Sequence, residues 1–425
     1  MSGGQCLECF QVSRRGFLAG SLAAVGGLVA STSITTRVAM ADPGYTGDTL
    51  VVVSLRGGFD GLSAIVPHGE PEYLQKRPSI AVPTNALLGA DSLFGLHPAM
   101  AQLLPYWNNG SFGAVHAVGQ PTASRSHFNA MDEMERAAPN SSIRTGWIDR
   151  ALGQRNLTDV FSAIQVGPGL PTKAFAGPSA ELSMNSIEDF SIVGTDSDDD
   201  AAWARAERTR WVNALRDLGG DSPASIRNAT ETALDAVGRV TTLADSTYVP
   251  SATYPESEFG DALRDIARLI KSNLGVQIAC IDVGDWDMHE GLGQYADPDT
   301  WMTRKLTELS AGLAAFAQDL GSQFNKTTVV TMSEFGRRVT ENASGGVDHG
   351  LGNAMLLLGG SVIGGRVHGV WPGLEDNQLD DGDLAGANDF RVVLAEILSK
   401  RCGQSGLASV FPGADLNASL GIVRS

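Results

Sequence analysis

Apolar and polar positions recur in two rhythms along this chain. Short β-branched, apolar runs at residues 48–55, 112–118, 161–166, 276–283, 327–332 and 354–358 predict buried strands. Apolar positions three and four apart predict helices over 98–107, 129–138, 201–218, 224–243, 258–273, 299–320 and 389–400. Strands separated by helices predict an α/β fold with a central, mostly parallel or mixed sheet flanked by helices. The helices between about 196 and 274 predict a largely helical insertion between two strand-rich parts. No internal repeat interrupts the pattern.

Ahead of the first strand the pattern changes. Ser13-Arg14-Arg15-Gly16-Phe17-Leu18 precedes an Ala/Gly/Leu-rich run to about Ala30, and Ala39-Met40-Ala41 offers small residues at the positions a signal peptidase reads. This resembles a twin-arginine export signal, and the run is too short and glycine-rich for a permanent membrane span. Residues 1–41 are therefore expected to be removed after passage through the twin-arginine machinery. A single domain over 42–425 would remain, in the periplasm or outside the cell. No later segment is long and apolar enough to span a bilayer. The full chain carries 31 Lys and Arg against 48 Asp and Glu, a net charge of −17. Such an acidic chain is unsuited to nonspecific binding of nucleic acid or an anionic membrane surface. Cys6 and Cys9 fall in the expected signal. Cys280 lies in an apolar run and reads as a small core residue, and spacing leaves a disulfide to Cys402 open.

The chemistry gathers just past the predicted strands. Asp60 follows the first strand among glycines, in Arg56-Gly57-Gly58-Phe59-Asp60-Gly61. Asp287 and His289 follow the strand at 276–283 with the Asp-x-His spacing, so the two side chains point the same way if the strand persists. Glu334 and Arg337 follow the strand at 327–332, and Asp348-His349 sits in the glycine-rich loop after them. Oxygen and imidazole donors at the carboxyl ends of strands suit zinc or manganese. Alone, each has an ordinary alternative: Asp60 as a turn residue, Asp348 as a turn cap, His349 as a backbone partner. In Ser124-Arg125-Ser126-His127-Phe128 either serine could cap the next helix or act as a nucleophile where free N–H groups favour an anion. His127 could be a ligand or a base. The acidic stretch at 194–200 lacks the glycine and distal glutamate of a calcium loop and reads as a solvated loop.

The export signal, LRGGFDGLS, SRSHF, GDWDMHEG, SEFGRR and GGVDHG, in that order, resemble the exported bacterial family called domain of unknown function 1501 over nearly all of the mature chain. That family looks like a distant branch of the alkaline phosphatase and sulfatase superfamily. The resemblance implies a mixed sheet between helices, a metal site at the strand ends, and cleavage of phosphate or sulfate esters through a Ser or Thr nucleophile. It implies metal ligands at Asp60, Asp287, His289, Asp348 and His349, with one or two divalent ions, zinc or manganese. It places Ser126, or less well Ser124, as nucleophile. His368 is the candidate for a last histidine, in surroundings unlike the superfamily motif. Arg125 or Arg337 would fork the anion, and Glu334 would orient a ligand or transfer protons. The expectation is an exported metal-dependent hydrolase of a small-molecule or polymeric phosphate or sulfate ester. The alternative is a non-catalytic exported protein of the same fold that binds a surface polymer or a partner protein.

Overall fold

The computed structural model describes residues 47–122, 124–154, 160–167, 171–179, 182–190, 201–417 and 419–425. The expected signal, its cysteines and the acidic stretch at 194–200 lie outside the described residues. The strands are β1 (Thr49–Leu55), β2 (Ile65–Val66), β3 (Gly95–Leu96), β4 (Phe112–Gly119), β5 (Ala163–Val166), β6 (Leu182–Met184), β7 (Ile278–Val283), β8 (Thr327–Met332), β9 (Asn353–Gly359), β10 (Val367–His368) and β11 (Asn388–Asp389). Nine of them form one sheet in the order β10-β4-β9-β8-β1-β7-β5-β6, with β11 also on β4. β2 and β3 form a small separate pair.

The sheet is mixed. β8, β1, β7, β5 and β6 run parallel, and β9 is antiparallel to both β8 and β4. The expected parallel relation of β7 and β8 holds, but β1 lies between them: Ser54 is level with both Asp282 and Met332. The loops after β7, β1 and β8 therefore leave the sheet side by side at one edge. β4, two antiparallel steps from β8, ends at the same edge.

Every residue of β1 is buried, as a strand covered on both faces requires. Val51, Val53 and Leu55 face one core with helices Glu258–Lys271 and Trp301–Leu320, while Leu50 and Val52 face another with helices Trp147–Gln154 and Phe390–Lys400. This two-sided cover gives a helix–sheet–helix sandwich. In the helical segment, Ala201–Gly220 packs on Ala224–Ala244, and Glu258–Lys271 packs against the sheet beside β7. Cys280 and Cys402 are both buried thiols. Among the described residues, no helix is long and apolar enough to cross a membrane.

Candidate metal centre

Three loops at the shared strand edge are drawn together by Arg337. Its side chain is buried and donates to the carbonyls of Gly57, Gly58 (2.6 Å), Trp286 (3.2 Å) and Val347 (3.0 Å), and to Asp287 Oδ1 (2.6 Å). One guanidinium thus ties the loop after β1 to the Asp-x-His loop and to the residue before Asp348. Glycines allow the close approach. Gly57 has φ +118°, and a Cβ there would stand 2.7 Å from the Asp287 nitrogen; a Cβ at Gly346 would stand 2.3 Å from the His289 carbonyl carbon.

Three histidines meet at this edge, each held in the same way. His289 Nδ1 donates to Asp348 Oδ1 at 3.0 Å, His349 Nδ1 to the Arg125 carbonyl at 2.9 Å, and His127 Nδ1 to Glu334 Oε1 at 2.8 Å. Carboxylate and carbonyl oxygens only accept, so the proton is on Nδ1 and the neutral ring keeps a lone pair on Nε2. The three Nε2 atoms converge on Asp287. His289 Nε2 and His349 Nε2 lie 2.9 Å apart, and each is 3.1 Å from Asp287 Oδ1. His127 Nε2 faces Asp287 Oδ2 at 3.5 Å and is buried without a hydrogen-bond partner. Donor atoms of His127, Asp287 and His349 all lie within 4.8 Å of one another.

Two imidazole lone pairs facing each other at 2.9 Å repel unless a cation lies between them. Burial lowers the pKa of His349 below the ordinary histidine value, which keeps that ring neutral and its lone pair available. Burial would raise the Asp287 carboxyl, but the hydrogen bond and charge of Arg337 outweigh it and hold it below the ordinary carboxylate value, so it is ionised. Tetrahedral donors at zinc distances of about 2.0–2.1 Å stand about 3.3 Å apart, close to the spacing found. The residues present therefore fit a divalent ion, with Nε2 of His127, His289 and His349 and the carboxylate of Asp287 as donors. The oxygens behind each imidazole are the partners such ligands ordinarily have.

The remaining candidates occupy other places. Both oxygens of Asp60 are taken by Arg77, at 2.5 and 3.0 Å, with Ser63 Oγ at 2.5 Å from Oδ2. Asp60 is 2% exposed. Burial would raise its pKa, but the Arg77 charge and hydrogen bonds outweigh it and hold it low. The acid expected as a ligand is instead half of a buried ion pair. Asp348 meets the centre through His289, with Asn342 on the same oxygen. Bonds from His289 and Asn342 hold its pKa low. The expected anion fork is found in neither arginine: Arg337 is committed as above, and Arg125 binds Asp383 (2.5 Å) and Asp381 (3.3 Å). Ser126 stands at the N-terminus of helix His127–Arg136, exposed, with no capping bond from its side chain, while Ser124 Oγ accepts from the Ser126 N–H. Glu334 is buried, and its Oε1 also accepts from the Gly57 N–H. His368, on β10, bonds the Ile363 carbonyl and lies outside the cluster. His127 supplies the third imidazole. Its motif was visible, but its role depends on Glu334, 207 residues away.

The chain is similar to the PsFucS1 sulfatase from Pseudoalteromonas sp., at 12% identity and TM-score 0.37 over 97% of this chain and 78% of that one. It is also similar to the zinc-bound C-terminal periplasmic domain of EcEptC from Escherichia coli, at 8% identity and TM-score 0.37 over 90% and 88%. Alkaline phosphatase from the Antarctic bacterium TAB5 matches at 8% identity and TM-score 0.28 over 76% and 95%. No curated protein matches the sequence. Residues 111–385, more than half of the chain, match the family described as protein of unknown function (DUF1501), and the chain belongs to that family.

Proposed function

We propose that this protein is an exported, metal-dependent hydrolase of a phosphate or sulfate ester. The observation that carries this reading is the convergence of three Nε2 lone pairs and the Asp287 carboxylate beside the helix N-terminus at Ser126. The donor set suits one zinc or manganese ion, held by His127, His289, His349 and Asp287. When bound, the ion supplies Lewis-acid polarisation of an ester oxygen. The chain's own residues do the rest. Glu334, Asp348 and the Arg125 carbonyl hold the three rings in one tautomer, and Arg337 holds Asp287. First-turn N–H groups of helix His127–Arg136 favour an anion beside the ion. Ser126 is the proposed nucleophile, since its hydroxyl makes no capping bond.

Metal analysis of protein purified without chelator, followed by assays on aryl phosphate and sulfate esters, tests this reading. One equivalent of ion and ester turnover that chelation abolishes are expected. Ser126→Ala should abolish turnover with metal content and melting temperature nearly unchanged, whereas Ser124→Ala should cost about 1 kcal/mol at most. Unchanged turnover in Ser126→Ala would remove the serine from the mechanism. A second reading has one observation in its favour: four protein donors fill a tetrahedral shell, as in structural sites. Bound metal with no turnover of any ester would favour a non-catalytic exported protein that binds a polymer or partner.

A further inference from the structure

Among the described residues, each guanidinium around the candidate centre already has an acidic partner. Arg337 holds Asp287, Arg77 holds Asp60, and Arg56 holds Glu135 and Asp282. Arg125 and Arg338 share Asp381 and Asp383, with contacts from 2.5 to 3.7 Å. Lys305 lies over the Trp286 ring at 5.3 Å, with Glu308 at 3.9 Å. Within the shell, the carboxylates of Asp287, Asp348 and Glu334 have one bonded guanidinium between them, Arg337 on Asp287, and each imidazole, its Nδ1–H committed to an oxygen, is a neutral ligand once its Nε2 holds an ion. The shell is two charges negative, so a divalent ion brings it to neutrality and leaves no cation over.

We propose that the ester taken at this centre is a monoanion, a sulfate monoester or a phosphodiester, and that phosphate monoesters are disfavoured. This deepens the reading of the cluster as a metal-dependent ester hydrolase and rests on it. A phosphate monoester has a second pKa near 6 and is a dianion at pH 8. Its first charge meets the ion. Its second would enter a partly desolvated shell beside Glu334 and Asp348 with no unpaired guanidinium to receive it. A monoanion brings no such second charge.

The test is calorimetric titration of the zinc-loaded protein at pH 8 and low salt with dimethyl phosphate, methyl sulfate and methyl phosphate. At least one monoanion should bind about tenfold or more tighter than methyl phosphate, the factor one charge-assisted hydrogen bond is worth. The contrast between dimethyl phosphate and methyl sulfate tells phosphodiester from sulfate. Asp381→Asn should raise methyl phosphate affinity several-fold and leave dimethyl phosphate nearly unchanged, because it loosens the hold on Arg125 and Arg338. Asparagine tolerates the positive φ of 52° found at that position. Methyl phosphate binding as tightly as either monoanion, or no binding of any of the three, overturns the proposal. Aryl ester assays separate it from the reading beneath it. Fastest turnover of p-nitrophenyl phosphate keeps the hydrolase and sinks the monoanion preference. A monoanion preference in binding, with no turnover of p-nitrophenyl sulfate or bis(p-nitrophenyl) phosphate, sinks the hydrolase and keeps the preference.

Discussion

Asp60 and Asp287 follow two neighbouring parallel strands, β1 and β7, and an arginine bonds each of them. Their settings then diverge. Asp60 is 2% exposed and gives both oxygens to Arg77. The Asp287 side chain is 47% exposed; it gives one oxygen to Arg337 and turns the carboxylate toward three imidazoles. An acid past a strand end is thus no ligand by its type and place. A buried carboxylate must be compensated at once, and the guanidinium beside Asp60 does this fully. The half-open carboxylate keeps a lone pair for an ion.

The largest effect should come from breaking the buried side of this pair. Asp60→Asn leaves the Arg77 guanidinium buried and uncompensated, which costs about 3–5 kcal/mol. Urea denaturation should show that loss, with metal content per folded molecule unchanged. The folded Asp60 pKa lies below its ordinary value. Its contribution is therefore fully present above the unfolded pKa of about 4 and is lost as pH falls through the folded value. The gap between wild type and variant should close in acid. A variant that keeps its stability but loses its ion would put Asp60 back among the ligands.

The exposed side is broken through His127 and Glu334. His127→Ala removes one of four donors, and dialysis against chelator should strip the ion far more readily than from wild type. Glu334→Gln keeps the ligand and loosens only its orientation, so metal affinity should fall about ten- to hundredfold. If Glu334 instead transfers protons, kcat falls while metal affinity holds. Measuring both quantities on one preparation separates the two roles.

Much of the fold was legible because its strands are buried on both faces. Such strands read as unbroken apolar runs, and 327–332 was bounded in the sequence where β8 is found. The order of strands was not legible. Nothing local to 278–283 or 327–332 says that β1 lies between them, since register is a long-range property. In the site, Asp-x-His and Asp-His stood out because their donors are close in the chain. What each donor touches did not. Arg77, just past helix Pro71–Lys76, decides the state of Asp60; Glu334 decides the tautomer of His127; both partnerships are made by the fold. Arg337 was legible as a charged group at the site, but not as the pin of three loops, because its main partners are backbone carbonyls, which carry no sequence mark.

The smallest effect should fall on Asp348, and it draws the comparison finest. Asp348 and Glu334 each accept an Nδ1–H from a histidine of the cluster. Glu334 is buried, whereas the Asp348 side chain is 53% exposed. Water can replace an exposed partner but not a buried one. Asp348→Asn also keeps an acceptor oxygen toward His289, and Asn342 stands beside it. If Asp348 only orients His289, metal affinity should fall by less than about tenfold, the lower end of the range for such partners. If Asp348 is itself a ligand, the loss should match that of His289→Ala measured in parallel. A zinc titration with a competing chelator on the two variants distinguishes these outcomes. A loss in Asp348→Asn larger than in Glu334→Gln would show that exposure does not grade the partners, and would return Asp348 to the first set of donors around the ion.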